Sequence, residues 1–145
     1  MKGLIQRVKH ASVEVKGQRV GAIDAGILLF LGVEKSDTEE QADKLLHKVL
    51  NYRIFADADG KMNESLLQQN KSLLLVSQFT LVADTQKGLR PGFSQGATPA
   101  DGERLYNYFL TACKSKGIHI ESGCFGANMQ ITLCNDGPVT FLLET

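Results

Sequence analysis

The sequence predicts an α+β domain in which many strands form one layer or a partly closed barrel, with two helices between them. Three observations support this fold class. The 145 residues are enough for one domain, and we expect residues 1–145 to form it without a linker or repeat. The composition, with 43% hydrophobic and 22% charged residues, is that of a globular chain. Apolar runs of strand length alternate with only two stretches of helical periodicity.

The first part of the chain predicts strands. Residues 4–8 read as one strand, and the alternation in 12–15, a turn at Gly17-Gln18 and the run 19–23 predict a hairpin. The continuous apolar run 26–33 is typical of a strand that is buried on both faces. It is too short to span a membrane.

Two helices are predicted from caps and apolar stripes. The pattern from Ser36 to Glu39 indicates a capping box before the first helix. Thr98 is a suitable N-cap for the second, Pro99 fits its first turn, and Gly117 ends it. The buried stripes are expected at Ala42, Leu45, Leu46, Val49 and Leu50 in the first helix, and at Leu105, Phe109, Ala112 and Cys113 in the second.

The remaining strands lead into two short polar motifs. A strand at 73–76 precedes Ser77–Leu81, and a loop follows from Ala83 to Gly96. Strands at about 118–121 and 129–134 precede Asn135–Thr140, and a last strand follows from Val139 to Leu143.

Charge and cysteine content limit the function. A formal net charge of +0 argues against a protein that coats nucleic acid, although two or three local cations would suffice to hold an RNA end. The three cysteines show no C-x-x-C spacing, which favours structural thiols in a reducing compartment; a nucleophilic cysteine is the alternative. With no signal-peptide pattern or membrane span, we expect a cytoplasmic protein. We also expect no metal, since only His119 lies near a cysteine and two ligands do not make a site, and we expect no cofactor.

The common catalytic constellations are absent from the sequence. His10, His47 and His119 are scattered, and a Ser-His-Asp triad would have to assemble by accident of folding. There is no nucleophile elbow and no phosphate-binding loop. An enzyme with this sequence is therefore expected to work without a charged general base.

The first motif, Ser77–Leu81, has two interpretations. It is either a strand end whose hydroxyl groups bond turn amides, or a pocket at a strand end. In the second case backbone N–H groups and the Thr80 hydroxyl would face an oxyanion, where one donor is typically worth ~10²–10³ in rate.

The second motif, Asn135–Thr140, reads most simply as a hairpin turn between two strands. The alternative starts from its Gly-Pro dipeptide, since X-Pro bonds are cis in about 5–6% of cases in folded proteins. A cis Gly137–Pro138 bond would direct consecutive carbonyl groups the same way. Such a rigid, uncharged surface would accept hydrogen bonds from an ammonium group and would sterically restrict which group can lie beside that ammonium.

Together the two motifs resemble those of the D-aminoacyl-tRNA deacylases. The similarity extends over the whole chain and includes Leu4–Val8, Tyr52–Phe55, Gly60–Asn63, Arg90-Pro91 and Phe125–Met129. The resemblance implies a β-barrel-like α+β fold and a homodimer with active sites at the subunit interface. It further implies a chiral proofreading hydrolase of translation, which cleaves D-aminoacyl and glycyl esters at the tRNA 3′ end and rejects L-aminoacyl-tRNA.

The resemblance also implies roles for individual residues. Gly137-Pro138, joined by a cis bond, would enter the partner's site, hold the α-amino group and exclude an L side chain. The supporting residues of that motif would be Arg7, Asn135, Val139 and Thr140. Ser77 and Gln78 would line the pocket between apolar walls made by Phe125 and Met129.

We expect the backbone N–H groups of Phe79 and Thr80 to stabilise the oxyanion, while the ribose 2′-hydroxyl assists attack by water. Lys87 and Arg90 are candidates for phosphate contact. Leu89 and Cys124 flank the expected pocket loops, and their effect on it is open.

Two rival functions remain at this level. A non-catalytic module that binds an RNA end would use the same pocket and leave aminoacyl-tRNA intact. A conventional acyl-enzyme hydrolase would use Thr80 or a cysteine as its nucleophile, and would lose turnover when that side chain is removed.

Overall fold

The computed structural model describes all residues from Met1 to Thr145. Eight strands, two α-helices and one short 3₁₀ helix follow one another along the chain. In order they are β1 (Lys2–Val15), β2 (Gln18–Ile23), β3 (Gly26–Gly32), α1 (Glu39–Asn51), β4 (Phe55–Ala56), β5 (Met62–Glu64), β6 (Ser72–Ser77), the 3₁₀ helix (Phe79–Val82), α2 (Pro99–Ser115), β7 (Ile120–Ser122) and β8 (Gln130–Glu144). No helix is both long and apolar enough to cross a membrane.

The main sheet is mixed and nearly closes on itself. Its strand order is β2-β1-β3-β6-β7, and β8 pairs with β1. The β3–β6 and β6–β7 pairs are parallel, whereas β1 is antiparallel to β2, β3 and β8. The outer strands β2 and β7 approach so closely that a Cβ atom on Gly21 would lie 2.8 Å from the carbonyl oxygen of Ser122. The predicted α+β, barrel-like fold with two main helices is confirmed.

Two hydrophobic cores occupy the two faces of the curved sheet. The larger one lies between the sheet and the helices and contains Ile27, Leu29 and Leu31 of β3. The smaller one lies within the curl and contains Leu28 of the same strand. Because successive side chains of a strand point to opposite faces, β3 contributes to both cores. The prediction that this run is buried on both faces is confirmed.

The predicted start of the first helix is wrong by two residues. The N-cap is Thr38, whose backbone N–H donates to Oε1 of Gln41 at 3.0 Å, so the capping box is Thr38–Gln41. The Asp37 carboxylate instead accepts a hydrogen bond from the N–H of Glu34 at 2.7 Å. That bond holds residues 34–37 in a turn before the helix.

The N-terminal hairpin differs in detail from the expected one. The two predicted strands before it are one continuous strand, β1, and the turn lies at Lys16 and Gly17. Both residues have positive φ, 50° and 77°, as the tightest hairpin turns require. The turn is therefore one residue earlier than the sequence predicted.

The largest departure is that Asn135–Thr140 is not a hairpin turn. The expected strands 129–134 and 139–143 are parts of one strand, β8, which pairs with β1 on both sides of the motif. Val8 lies opposite Asn135 and Gln6 lies opposite Thr140, so two steps along β1 match five along β8. The three extra residues form a bulge, and Gly137 and Pro138 on it are exposed.

Candidate active site

A cavity of about 530 Å³ opens between the end of β6 and the start of α2. Ten of its eighteen lining residues are hydrophobic, and none carries a formal charge. The lining residues are Leu31, Val33, Val76, Ser77, Gln78, Phe79, Phe93, Gly96, Ala97, Thr98, Pro99, Gly102, Phe125, Gly126, Ala127, Asn128, Met129 and Ile131. An uncharged pocket of this kind binds a ligand through shape and hydrogen bonds rather than through ion pairs.

Strand β6 positions the first polar motif at the cavity. Residues 73–76 are buried, and the N–H of Gln78 donates to the carbonyl oxygen of Leu31 on β3 at 2.8 Å. The chain then turns into the 3₁₀ helix, which brings Phe79 to the surface, where the residue is 67% exposed. Its ring packs against Phe93 with a centroid distance of 5.2 Å, so an aromatic pair forms one rim of the cavity.

The backbone N–H groups of Phe79 and Thr80 are available for a ligand. They are the first two N–H groups of the 3₁₀ helix, where no earlier turn of the helix offers an acceptor. Neither donates to a loop carbonyl or to a side chain. Two adjacent, unused N–H groups beside an uncharged cavity form a site suited to an oxyanion.

The Thr80 side chain is tied to its neighbour rather than to a base. Nε2 of Gln78 donates to its hydroxyl oxygen at 2.5 Å, and both side chains are at the surface. No imidazole, carboxylate or amine forms a hydrogen bond with this hydroxyl. Thr80 is adjacent to the cavity but does not line it.

The opposite wall of the cavity comes from the loop between β7 and β8 and from α2. The Phe125 ring lies over Gly102, where a Cβ atom would be 3.3 Å from its Cζ atom. The Met129 sulfur lies over Gly123, where a Cβ atom would be only 2.6 Å away. The absence of side chains at these two glycines allows both apolar residues to pack closely beside the cavity.

The bulge on β8 is braced by Arg7 from β1. Its Nε atom donates to the carbonyl oxygen of Asp136 at 3.1 Å and lies 3.3 Å from the carboxylate of the same residue. Its Nη1 atom donates to the carbonyl oxygen of Ile54. The N–H of Val139 donates to the Asn135 side chain at 3.3 Å and closes the bulge.

The peptide bond between Gly137 and Pro138 is cis. The flanking residues of the bulge are fixed in the sheet, since Val139 is buried in the core and the Thr140 hydroxyl accepts a hydrogen bond from Nε2 of Gln6 at 3.3 Å. Neither Gly137 nor Pro138 lines the cavity. Within one chain, the structure therefore does not bring the two polar motifs together.

Comparison with known proteins identifies the family. The sequence model of the family described as D-Tyr-tRNA(Tyr) deacylase matches residues 4–144. The D-aminoacyl-tRNA deacylases of Stutzerimonas stutzeri and Pectobacterium atrosepticum are 61% and 57% identical to the chain, in each case over 100% of both proteins. The chain belongs to the D-aminoacyl-tRNA deacylase family. It is thus a hydrolytic enzyme, as the sequence predicted.

Solved structures similar to the chain share its fold. The c-Myc DNA Unwinding Element Binding Protein is 40% identical and superimposes with a TM-score of 0.95, covering 100% of this chain and 99% of its own. A probable eukaryotic D-amino acid tRNA deacylase has a TM-score of 0.88 over 99% of this chain and 98% of its own. At 16% identity the second likeness concerns the fold alone. Both agree with the deacylase fold that the resemblance implied.

The structure places the other predicted deacylase residues in different environments. Ser77, Gln78, Phe79, Phe125 and Met129 all line the cavity. Lys87 and Arg90 are exposed in the loop before α2 and do not line it, and Leu89 between them is fully exposed. The Cys124 thiol is free and exposed, next to Phe125. The role of Lys87 and Arg90 stays a prediction.

Several residues of the deacylase cavity were not predicted from the sequence. Phe93, which pairs with Phe79, is one of them. Thr98 and Pro99 are predicted from the sequence only as the start of a helix. Asn128 appears there only as part of the family resemblance. A single sequence offers no periodicity that marks such positions. The cap of α2 was the one available signal, because the start of a helix is a frequent ligand site.

A Ser-His-Glu row forms elsewhere on the surface of this deacylase. The Ser72 hydroxyl lies 3.1 Å from Nδ1 of His119, whose Nε2 atom lies 3.6 Å from the Glu121 carboxylate. His119 is 63% exposed, and none of the three residues lines the cavity. The row therefore lies outside the candidate active site.

Proposed function

We propose that the chain hydrolyses the ester of D-aminoacyl-tRNA and of glycyl-tRNA, and that it rejects L-aminoacyl-tRNA. Free tRNA and the amino acid are the products, so the reaction removes wrongly charged tRNA before translation uses it. The observation that carries the proposal is the pair of unused N–H groups at Phe79 and Thr80, beside a cavity in a chain of the deacylase family.

In this mechanism the ester carbonyl lies against the N–H groups of Phe79 and Thr80. Attack by water places negative charge on the carbonyl oxygen, and two fixed donors stabilise that charge more than they stabilise the neutral ester. The ribose 2′-hydroxyl next to the ester assists the attack. This arrangement fits a cavity with no charged residue, because the protein then has to orient and polarise the ester rather than supply a base.

Thr80 is proposed to act through its backbone. A threonine nucleophile needs a nearby base to take its proton. The hydroxyl of Thr80 has a hydrogen bond only from the amide group of Gln78, which is not basic. Gln78 therefore fixes the Thr80 side chain and, with it, the first turn of the 3₁₀ helix that presents the two N–H groups.

Selection for the D configuration is proposed to come from Gly137 and Pro138 of a partner subunit. The substrate carries an α-ammonium group, and the cavity of one chain contains no carboxylate to hold it. Carbonyl oxygens on the exposed bulge can accept its hydrogen bonds, and the bulge can block an L side chain. Arg7 holds this segment through Asp136 and makes it stiff enough to discriminate by shape.

A homodimer is proposed because the site is incomplete in one chain and because β8 has an open edge. This strand pairs only with β1, which leaves its other edge unpaired along the sheet. Phe141 and Leu142 near its end are 38% and 50% exposed. A long edge strand with exposed apolar side chains is a natural site for association with a second copy. Such a dimer brings the bulge of one subunit close to the other.

We place the reaction in the cytoplasm, where aminoacyl-tRNA is made and used. The three cysteines are free, as is usual in that reducing compartment. The tRNA acceptor end is the proposed partner, with Lys87 and Arg90 as candidate contacts to its phosphates. Both side chains are exposed in one loop.

The proposal is tested by deleting the N–H of Phe79 without changing its side chain. Phenyllactic acid incorporated at position 79 replaces that N–H by an ester oxygen. We expect kcat for D-tyrosyl-tRNA to fall by ~10²–10³, as for loss of one oxyanion donor. Lactic acid at position 100 is the matched control, since Ala100 lies in the first turn of α2, is exposed and does not line the cavity.

The same assay with L-tyrosyl-tRNA tests the substrate. Rapid loss of the D ester alone supports chiral hydrolysis. Persistence of both esters with the unmodified protein would favour the RNA-binding module instead. If phenyllactic acid at position 79 leaves kcat within about threefold of the parent, the backbone donor role is wrong.

A further inference from the structure

The side chain of Tyr106 lies where the two walls of the cavity originate. It is 3% exposed on α2, and its hydroxyl donates to the carbonyl oxygen of Leu75 at 3.1 Å and lies 3.4 Å from that of Gly123. The N–H of Gly123 also donates to the Leu75 carbonyl, at 2.9 Å. Leu75 precedes Ser77 by two residues, and Gly123 precedes Phe125 by two, so one hydroxyl joins both walls near their starting points.

The ring of Tyr106 also contacts the wall that the hydroxyl anchors. Its centroid is 5.6 Å from that of Phe125, with the rings tilted by 49°. Gly102 lies one helical turn before Tyr106 and supports the same Phe125 ring from α2. Tyr106 and Gly102, which lie on one face of α2, thus determine the position of the Phe125 ring.

We propose that Tyr106, together with Gly102, is a positioning residue that sets the width of the cavity by fixing the loop from Gly123 to Met129. This inference rests on the proposed function for its kinetic consequence. The hydroxyl acts through one proton shared between the Leu75 and Gly123 carbonyls, and Gly102 acts by leaving room for the Phe125 ring. Neither residue is a reacting group.

The hydroxyl has a role that the hydrophobic core alone does not explain. Burying a phenol group is costly unless it is hydrogen-bonded, and a phenylalanine would fill the same core space. Burial raises the pKa of Tyr106 to about 12, so the group remains a neutral donor over the physiological range. Its bond is the only one to the Gly123 carbonyl among loop and side-chain contacts. Removing it leaves the start of the loop held by the Gly123 N–H bond to the Leu75 carbonyl, without a bond to the Gly123 carbonyl.

The effect is expected on substrate binding rather than on the chemical step. Leu75 remains fixed by the pairing of β6 with β3 and β7, so the N–H groups at Phe79 and Thr80 keep their place. Only the loop that carries Phe125 and Met129 gains freedom. A looser wall weakens binding of ground state and transition state alike, which raises KM and leaves kcat unchanged.

The first test is Tyr106→Phe with Tyr108→Phe as the matched control. Both residues are on α2 and both hydroxyls are hydrogen-bonded, but Tyr108 donates to the Asp43 carboxylate, at 3.0 and 3.1 Å, away from the cavity. For D-tyrosyl-tRNA we expect KM to rise about tenfold in Tyr106→Phe with kcat within twofold, and no change in Tyr108→Phe. Equal KM values in the two variants would overturn the proposal.

The second test separates positioning from stability. Gly102→Ala adds a methyl group 3.3 Å from Phe125 Cζ and displaces the ring, while alanine favours the helix. We expect KM to rise relative to the parent while the variant stays folded, because the displaced ring changes the cavity wall. An unchanged KM in the folded variant would contradict the proposal.

Hydrogen exchange supplies a readout that needs no substrate. Amides of residues 123–129 should exchange at least threefold faster in Tyr106→Phe than in the parent, and should be unchanged in Tyr108→Phe. If the parent protein hydrolyses no D-aminoacyl-tRNA but exchange increases as expected, the proposed function fails and the positioning role stands. Unchanged exchange in Tyr106→Phe would refute the positioning role.

Discussion

Replacing Thr80 by alanine distinguishes a mechanism that uses backbone N–H groups from one that uses the Thr80 hydroxyl as nucleophile, because the two predict very different losses of kcat. The hydroxyl is exposed and has one hydrogen bond, from Gln78 at 2.5 Å. Loss of such a bond costs about 0.5–1.5 kcal/mol, which corresponds to a rate reduction of roughly 2- to 13-fold. Removal of a true nucleophile costs on the order of 10⁶ in kcat, as measured in a serine protease. With backbone N–H groups as the catalytic donors, we expect Thr80→Ala to lose no more than about tenfold.

The assay is single-turnover hydrolysis of D-tyrosyl-tRNA with enzyme in excess, which reports the chemical step without product release. Thr80→Ser keeps a hydroxyl that can accept from Gln78, and should be within about threefold of the parent. Thr111→Ala is the control, because Thr111 is an exposed residue of α2 that does not line the cavity.

A loss of more than about 10³-fold in Thr80→Ala, with the variant still folded, would refute the backbone mechanism. The same conclusion would follow from a covalent aminoacyl adduct on Thr80, detected by mass spectrometry after rapid quenching. In either case the Thr80 hydroxyl would be the nucleophile, and an unidentified group would have to take its proton.

Two further predictions concern the dimer and the pH dependence of stability. Ala127→Trp places a large side chain in the cavity. Gly137→Ala displaces the bulge, because Gly137 has a φ of 136° and the new Cβ atom would lie 2.7 Å from Val139 Cγ2. The homodimer of each variant should be inactive. A heterodimer of the two, purified with two tags, should recover about half the parent activity, because one of its two sites is intact, whereas an inactive heterodimer would exclude a shared site. Burial raises the pKa of Cys113 from 9.0 to about 12, so above pH 9 the thiol ionises only in the unfolded protein. The free energy of unfolding should therefore fall by about 1.4 kcal/mol per pH unit. Tyr106, whose pKa is raised to about 12 by burial, should add to this fall above pH 10. Urea unfolding at pH 8, 9 and 10 should show this fall, and Cys113→Ala should flatten it between pH 9 and 10.

Elements set by local interactions were predictable from the sequence. The N-terminus of α2 follows from Thr98 and Pro99, and the Thr98 hydroxyl accepts from the N–H of Asp101 at 3.2 Å. The start of α1 was placed two residues early because two overlapping cap patterns compete. The Asp37 side chain decides between them by bonding Glu34.

Elements set by distant pairing were less predictable. The motif Asn135–Thr140 has the composition of a turn, and only its pairing with β1 on both sides makes it a bulge in a continuous strand. The 3₁₀ helix at Phe79–Val82 likewise has no local signature, and the bond from Gln78 to Leu31 fixes where it begins.

The candidate site shows the same division. The strand-end interpretation of the first motif places Ser77, Gln78 and Phe79 at a pocket, and the family resemblance adds Phe125 and Met129; all five line one cavity. Phe93 was not predicted, because its pairing with Phe79 depends on how the loop before α2 returns to the end of β6. Contacts of this kind join residues that share no short-range pattern.

The sequence by itself determined the fold class, the two helices, the strand β3 buried on both faces and the two polar motifs of the deacylase family. These features depend on caps, periodicity and residue identity, which act between near neighbours in the chain. The tertiary structure alone decided that the N–H groups of Phe79 and Thr80 donate to no loop carbonyl or side chain, and that Gly137 and Pro138 do not line the cavity of their own chain. Both depend on the register of β8 and β6 against their neighbours, and register is fixed only when the whole sheet and its two cores assemble.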